Sequence, residues 1–82
     1  MRVEQTAHFR RRSRKLSQRD AALVATAIQR LQTDPRDPRL QTHKLGGSNR
    51  WASSYAANGR IVFTWQTDVI TLLDVGTHDE VY

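Results

Sequence analysis

The hydrophobic period of this chain changes once, and the change fixes its class. Ala21, Val24, Ile28 and Leu31 recur at helical spacing, Ala25 and Ala27 raise helix propensity, and Thr33-Asp34-Pro35 ends the pattern. Beyond residue 50 the period is two. Trp51, Ser53 and Tyr55 alternate with small residues, then Ile61, Phe63 and Trp65 alternate with Arg60, Val62 and Thr64. Ala57-Asn58-Gly59 between these runs supplies a turn able to take positive φ, so a β-hairpin is expected. Gln66-Thr67-Asp68 makes a second tight turn into Val69 to Val75, which is apolar on both faces and therefore expected to be a central strand that Gly76 ends.

Upstream, Arg2 to Thr6 suits an edge strand through Val3 alone. His8 to Leu16 is a basic run, HFRRRSRKL, with Phe9, Ser13 and Leu16 on one helical face. Ser17 followed by Asp20 is an N-cap pattern, so a second helix should begin there. Asp34-Pro35-Arg36-Asp37-Pro38 breaks structure twice, so Asp34 to Ser48 is expected to be one long connection closed by Gly46-Gly47. The order predicts an α+β fold, β-α-α-β-β-β: two N-terminal helices packed on one face of a small, twisted, mostly antiparallel sheet, with residues 1–82 as a single domain.

At 82 residues the chain buries only about 60% of its unfolded surface, and it has no cysteine for a disulfide or a thiolate zinc site. Regular structure and apolar packing must hold it. No stretch approaches the ~18 apolar residues of a membrane span, and Met1 is followed by Arg2-Val3-Glu4-Gln5 rather than an apolar signal core, so a cytosolic (cytoplasmic) location is expected, with no membrane partner. Residues 1–60 carry all 13 Lys and Arg against four acids, net +9, whereas residues 61–82 carry four acids and no Lys or Arg, net −4. Such a field attracts polyanions, chiefly nucleic acid, or an acidic protein; a merely solvated surface is the plainer alternative.

His78 follows the buried strand directly, which offers an imidazole at the end of a rigid element, able to donate or accept a proton near neutrality. A surface histidine in a frayed tail is the competing account. His43 and Lys44 lie in the long connection, and Arg60 begins a hairpin strand on the face opposite Ile61, Phe63 and Trp65. RNA cleavage without metal requires a base at the ribose 2′-hydroxyl, cations for the phosphorane charge and an acid for the leaving 5′-oxygen, and two histidines with Lys and Arg meet that need. Singly, each has a duller role: a loop histidine, an edge-protecting arginine, a solvated lysine. No cluster has metal-ligand spacing, and no cofactor is expected.

His43-Lys44-Leu45-Gly46-Gly47, the strand Arg60-Ile61-Val62-Phe63, and the ending Leu72-Leu73-Asp74-Val75-Gly76-Thr77-His78-Asp79-Glu80-Val81-Tyr82 together resemble the RelE/ParE toxin superfamily, most closely its YafQ-like branch. The likeness spans essentially the whole chain. It implies a RelE-like fold and the toxin half of a type II toxin–antitoxin pair, a ribosome-dependent mRNA endonuclease neutralised by a small cognate antitoxin. It further implies catalytic roles for His43, Arg60, His78 and the terminal aromatic Tyr82. RNA contacts are expected from Lys44, Arg50, Arg10, Arg11 and Arg14. Where YafQ-like proteins place another histidine and an Asp-Trp pair in the hairpin, this chain has Tyr55-Ala56-Ala57-Asn58-Gly59, which leaves the general base and the strength of the nuclease open.

Two other functions fit parts of the sequence. ParE-like relatives of the same fold poison DNA gyrase and cleave no RNA, so fold alone does not decide the activity. A non-catalytic helix-turn-helix module over residues 8–32 is the third, weakened by a second helix of alanine and aliphatics that offers few side chains for base edges.

Overall fold

The computed structural model describes all residues, 1–82. Strand β1 (Arg2–Gln5) leads into helices α1 (Ala7–Ser13) and α2 (Gln18–Thr33); strands β2 (His43–Leu45), β3 (Arg50–Ala56), β4 (Gly59–Gln66) and β5 (Val69–Thr77) come next, and a single helical turn, α3 (His78–Val81), follows β5. The five strands lie in the order β1-β5-β4-β3-β2, with β1 parallel to β5 and every other pair antiparallel. This is the α+β arrangement expected, with a β2 edge and an α3 turn added.

Local chemistry accounts for the helices. Thr6 caps α1 by accepting from Phe9 N at 3.0 Å, and Ser17 caps α2 by accepting from Asp20 N at 3.0 Å. α1 buries Phe9, and α2 buries Val24, Ala27 and Leu31. Ala21, expected inside, is exposed, and Ile28 lies at the border, because the buried stripe runs through Ala27 instead. These side chains meet Ile61, Phe63, Ile70, Leu72 and Val75 from one face of the sheet.

The segment Asp34 to Ser48 is not one long loop. Asp37 accepts from Arg39 N at 2.9 Å and starts a 3-10 turn, Pro38–Leu40, whose Leu40 is fully buried. Gln41 then takes a left-handed conformation (φ 50°), and His43–Leu45 pairs with β3. A three-residue strand has too few positions to show a period, which is why alternation missed it.

The glycines also work differently from expectation. Neither Asn58 nor Gly59 has positive φ; the left-handed residues are Gln41, Gly46 and Thr67. Gly59 is required by contact, since a Cβ there would stand 2.3 Å from the Tyr55 ring. Gly76 does not end β5, which continues to Thr77; a Cβ there would meet Arg12 Nη2 at 2.8 Å and Glu80 Oε1 at 3.0 Å.

Candidate functional site

Register decides which side chains share a face. Ser53 pairs with Ile61 and Ile61 with Val75, while Trp51 pairs with Phe63 and Phe63 with Leu72; these rows point to the helices. The intervening rows, Ala52–Val62–Asp74, Ser54–Arg60–Gly76 and Arg50–Thr64–Thr71, take the other face of the sheet, which α1 reaches only at the β5 end, through His8 and Arg12. Ala52 and Val62 are nonetheless fully buried, so they form a closed apolar floor under this second face. Two bulges shape it. Tyr55 is the extra residue of β3 opposite β4, and Leu73 the extra residue of β5. Bulges re-aim strand ends, and both lie beside the candidate site residues.

Arg60, His78 and Tyr82 converge at one end of this face. A single nitrogen of Arg60, Nη1, donates to the carbonyls of Ala56 (3.3 Å), Ala57 (3.3 Å) and Gly59 (2.8 Å), and so braces the hairpin turn. The turn's remaining carbonyl, Asn58 O, accepts from His78 N at 2.9 Å, which ties the start of α3 to the hairpin. Within α3 a capping box is complete: Glu80 N donates to Thr77 Oγ1 at 3.3 Å, and Thr77 N donates to Glu80 Oε1 at 2.7 Å. The His78 and Tyr82 rings then meet edge to face with centroids 4.4 Å apart. His78 is half exposed at the start of this capped turn, with Nδ1 3.6 Å from Asp79 Oδ1. Burial pushes the Tyr82 phenol above its ordinary value, and the adjacent Arg60 guanidinium pulls against that rise.

His43 lies across the same face. Its partner is Ala52, and Nδ1 faces Gln41 O at 3.1 Å, which orients the ring. It sits two strands and two residues from Arg60, about 12 Å between Cα positions by sheet geometry. Arg50 occupies the neighbouring row of this face. Lys44 does not join them: it pairs with Trp51, and its Nζ lies 5.9 Å from that ring on the helix side, because neighbours along a strand alternate. Of the expected site residues, Lys44 thus lies on the edge strand with its side chain on the helix side of the sheet.

Helix α1 carries the other expected RNA contacts. Arg10 Nη1 donates to Gln5 O at 3.3 Å. Arg11 and Arg14 line a shallow open depression with His8, Arg12 and Lys15. Sequence reasoning passed over four residues here. His8 Nε2 stands 3.4 Å from Asp74 Oδ1, and Arg12 reaches both Asp74 (3.7 Å) and Glu80 (3.8 Å). The Thr77-x-x-Glu80 capping box was legible as a motif, whereas a pairing between residues 8 and 74 leaves no local signal. No group of three His, Cys, Asp or Glu side chains is placed to hold a metal ion.

The fold is shared with solved YafQ and RelE toxins: two helices against one face of a small mixed sheet. Among solved structures, a copper-bound mutant toxin from Helicobacter pylori superposes with TM-score 0.81 at 23% identity, covering 100% of this chain and 99% of that one. YafQ from E. coli superposes with TM-score 0.84 at 13% identity, covering 100% and 99%. In the RelB–RelE antitoxin–toxin complex from Methanococcus jannaschii the TM-score is 0.80 at 18% identity, covering 98% and 95%. No protein-family model and no curated protein sequence matches the chain.

Proposed function

We propose that the protein is the toxin of a toxin–antitoxin pair and cleaves mRNA on the ribosome without a catalytic metal. The observation that carries this reading is the convergence of Arg60, His78 and Tyr82 at the end of an open sheet face that also holds His43 and Arg50. The 2′-oxygen attacks phosphorus and gives its proton to a base, for which His43 is the available imidazole on this face. The bond from phosphorus to the 5′-oxygen breaks as His78 protonates that oxygen, leaving a 2′,3′-cyclic phosphate and a 5′-hydroxyl. Arg60 commits one nitrogen to the hairpin carbonyls and keeps Nε and Nη2 for the phosphorane charge. Tyr82 stacks on or orients a nucleotide, and Arg50 contacts backbone phosphate. Arg10, Arg11 and Arg14 extend the RNA track along α1. The cognate antitoxin covers the basic surface and the sheet; support for such a partner comes from a neighbour of the same fold, RelE of Methanococcus jannaschii, which forms an antitoxin–toxin complex with RelB.

Primer extension on a translated mRNA tests the assignment. Loss of one acid or base typically costs ~10²–10⁴-fold, so His78→Ala should drop cleavage by that range with the fold intact. His43→Ala should also reduce it. Cleavage should persist when transition metals are chelated while Mg²⁺ for the ribosome is maintained. A fully active His78→Ala protein, or inhibition of gyrase supercoiling in place of mRNA cleavage, would overturn the reading.

A further inference from the structure

One helical turn does not hold itself, yet α3 begins at His78 and ends on Tyr82 as its C-cap. Its capping box closes the turn locally and says nothing about where the turn lies over the sheet. The bond from His78 N to Asn58 O fixes one end only. The Arg60 guanidinium stands beside Tyr82 at the other end, and one side chain of helix α1 reaches the turn between them. Arg12 of α1, a third or less exposed, places Nε 3.7 Å from Asp74 Oδ1 and Nη2 3.8 Å from Glu80 Oε2. It passes directly over Gly76, where any Cβ would press on Arg12 Nη2 at 2.8 Å and on Glu80 Oε1 at 3.0 Å. The missing side chain at residue 76 thus opens the path by which α1 reaches α3.

We propose that Arg12 is a positioning residue: by spanning Asp74 and Glu80 across Gly76, it sets where α3 holds His78 and Tyr82. The inference rests on the reading of those two side chains as the working groups of the site. A guanidinium suits the task because its separate nitrogens face two carboxylates at once, which a single ammonium does not. The contacts are long and partly exposed, so they add little to global stability; on a one-turn helix near the balance of folded and frayed, the same contacts decide the population.

The test uses the whole chain in three variants. Arg12→Lys keeps the charge and loses the span, Gly76→Ala keeps every charge and blocks the path, and Glu80→Gln weakens the far contact should either of the others misfold. The readout is the NMR shift of the His78 ring protons, which the Tyr82 ring displaces at 4.4 Å. All three variants should move these signals toward free histidine, while Arg30→Ala, which removes a guanidinium elsewhere on the surface, should leave them in place. In the cleavage assay, kcat should fall roughly five- to tenfold, the scale of two such contacts, with KM unchanged. Wild-type ring signals in folded Arg12→Lys and Gly76→Ala proteins would overturn the proposal. Displaced signals with undiminished cleavage would uphold the positioning role and overturn the assignment of His78 as the acid.

Discussion

At residue 59 the chain shows how a correct residue can be read for the wrong reason. Asn58-Gly59 signals a turn, and a turn is there, but neither residue is left-handed, and the glycine exists because the Tyr55 ring fills the space where a side chain would be. Tyr55 is itself the bulged residue of β3, and its phenol is raised above its ordinary value first by burial, then by Asp20 and Glu80. Gly59→Ala should therefore destabilise the fold through overpacking, by about 1–3 kcal/mol, read as a lower urea midpoint. Gly46→Ala offers the contrast. Its φ is +58° and nothing lies within 4 Å, so only backbone strain of about 1–2 kcal/mol is expected. A Gly59→Ala protein as stable as wild type would mean that Tyr55 moves aside freely. His43 and Lys44 teach a similar lesson. Both stand out in the sequence as candidates, but only knowledge of β2 assigns them to opposite faces.

Elements with full periods were readable, and those of three or four residues were not. The start of α2 at Ser17, its end near Asp34 and the hairpin strands follow from capping and alternation, while β2 is too short to show a period, and the Pro38–Leu40 turn and α3 hang on side-chain caps at Asp37 and Thr77. Such contacts make short elements sensitive to pH. In α3, the Thr77 backbone N–H, followed by the Thr77 hydroxyl, holds the Glu80 carboxyl below its usual value; burial opposes them, and Arg12 adds a lesser pull downward. A depressed folded-state value means that the cap's contribution is complete above the ordinary glutamate range near ~4.3 and is lost as pH falls through the folded value. The His78–Tyr82 ring contact should accordingly loosen on acidification below about pH 4, and Glu80→Gln should flatten that response in the His78 ring-proton shifts. In the Pro38–Leu40 turn, hydrogen bonds from Arg39 lower Asp37 to about 2, so this cap should survive to lower pH. An equal acid response in both elements would contradict the account.

Across the whole molecule the charge asymmetry of the sequence becomes a spatial arrangement. The acidic C-terminal third does not neutralise the basic part at large; Asp74 and Glu80 engage His8 and Arg12 and leave Arg11, Arg14 and Lys15 beside them without an acidic partner. Uncompensated like charges in one depression repel one another, and a polyanion relieves the repulsion. If RNA does so, binding must release counterions, with log K falling by about 0.7 per single-strand phosphate contact for each decade of salt. Anisotropy titrations of a short single-stranded RNA between roughly 50 and 300 mM salt, the range over which screening changes most, measure that slope on the non-cleaving His78→Ala protein. Replacing Arg11 and Arg14 together by Ala should shrink the slope by roughly 1.4, the loss of two phosphate contacts, and weaken binding to all sequences alike. Arg36→Ala removes one charge outside this depression, where Arg36 stacks on Trp65 at 5.0 Å, and should leave the slope unchanged. A double variant that binds RNA with the wild-type slope would remove α1 from the RNA track and confine recognition to the open face between His43 and Tyr82.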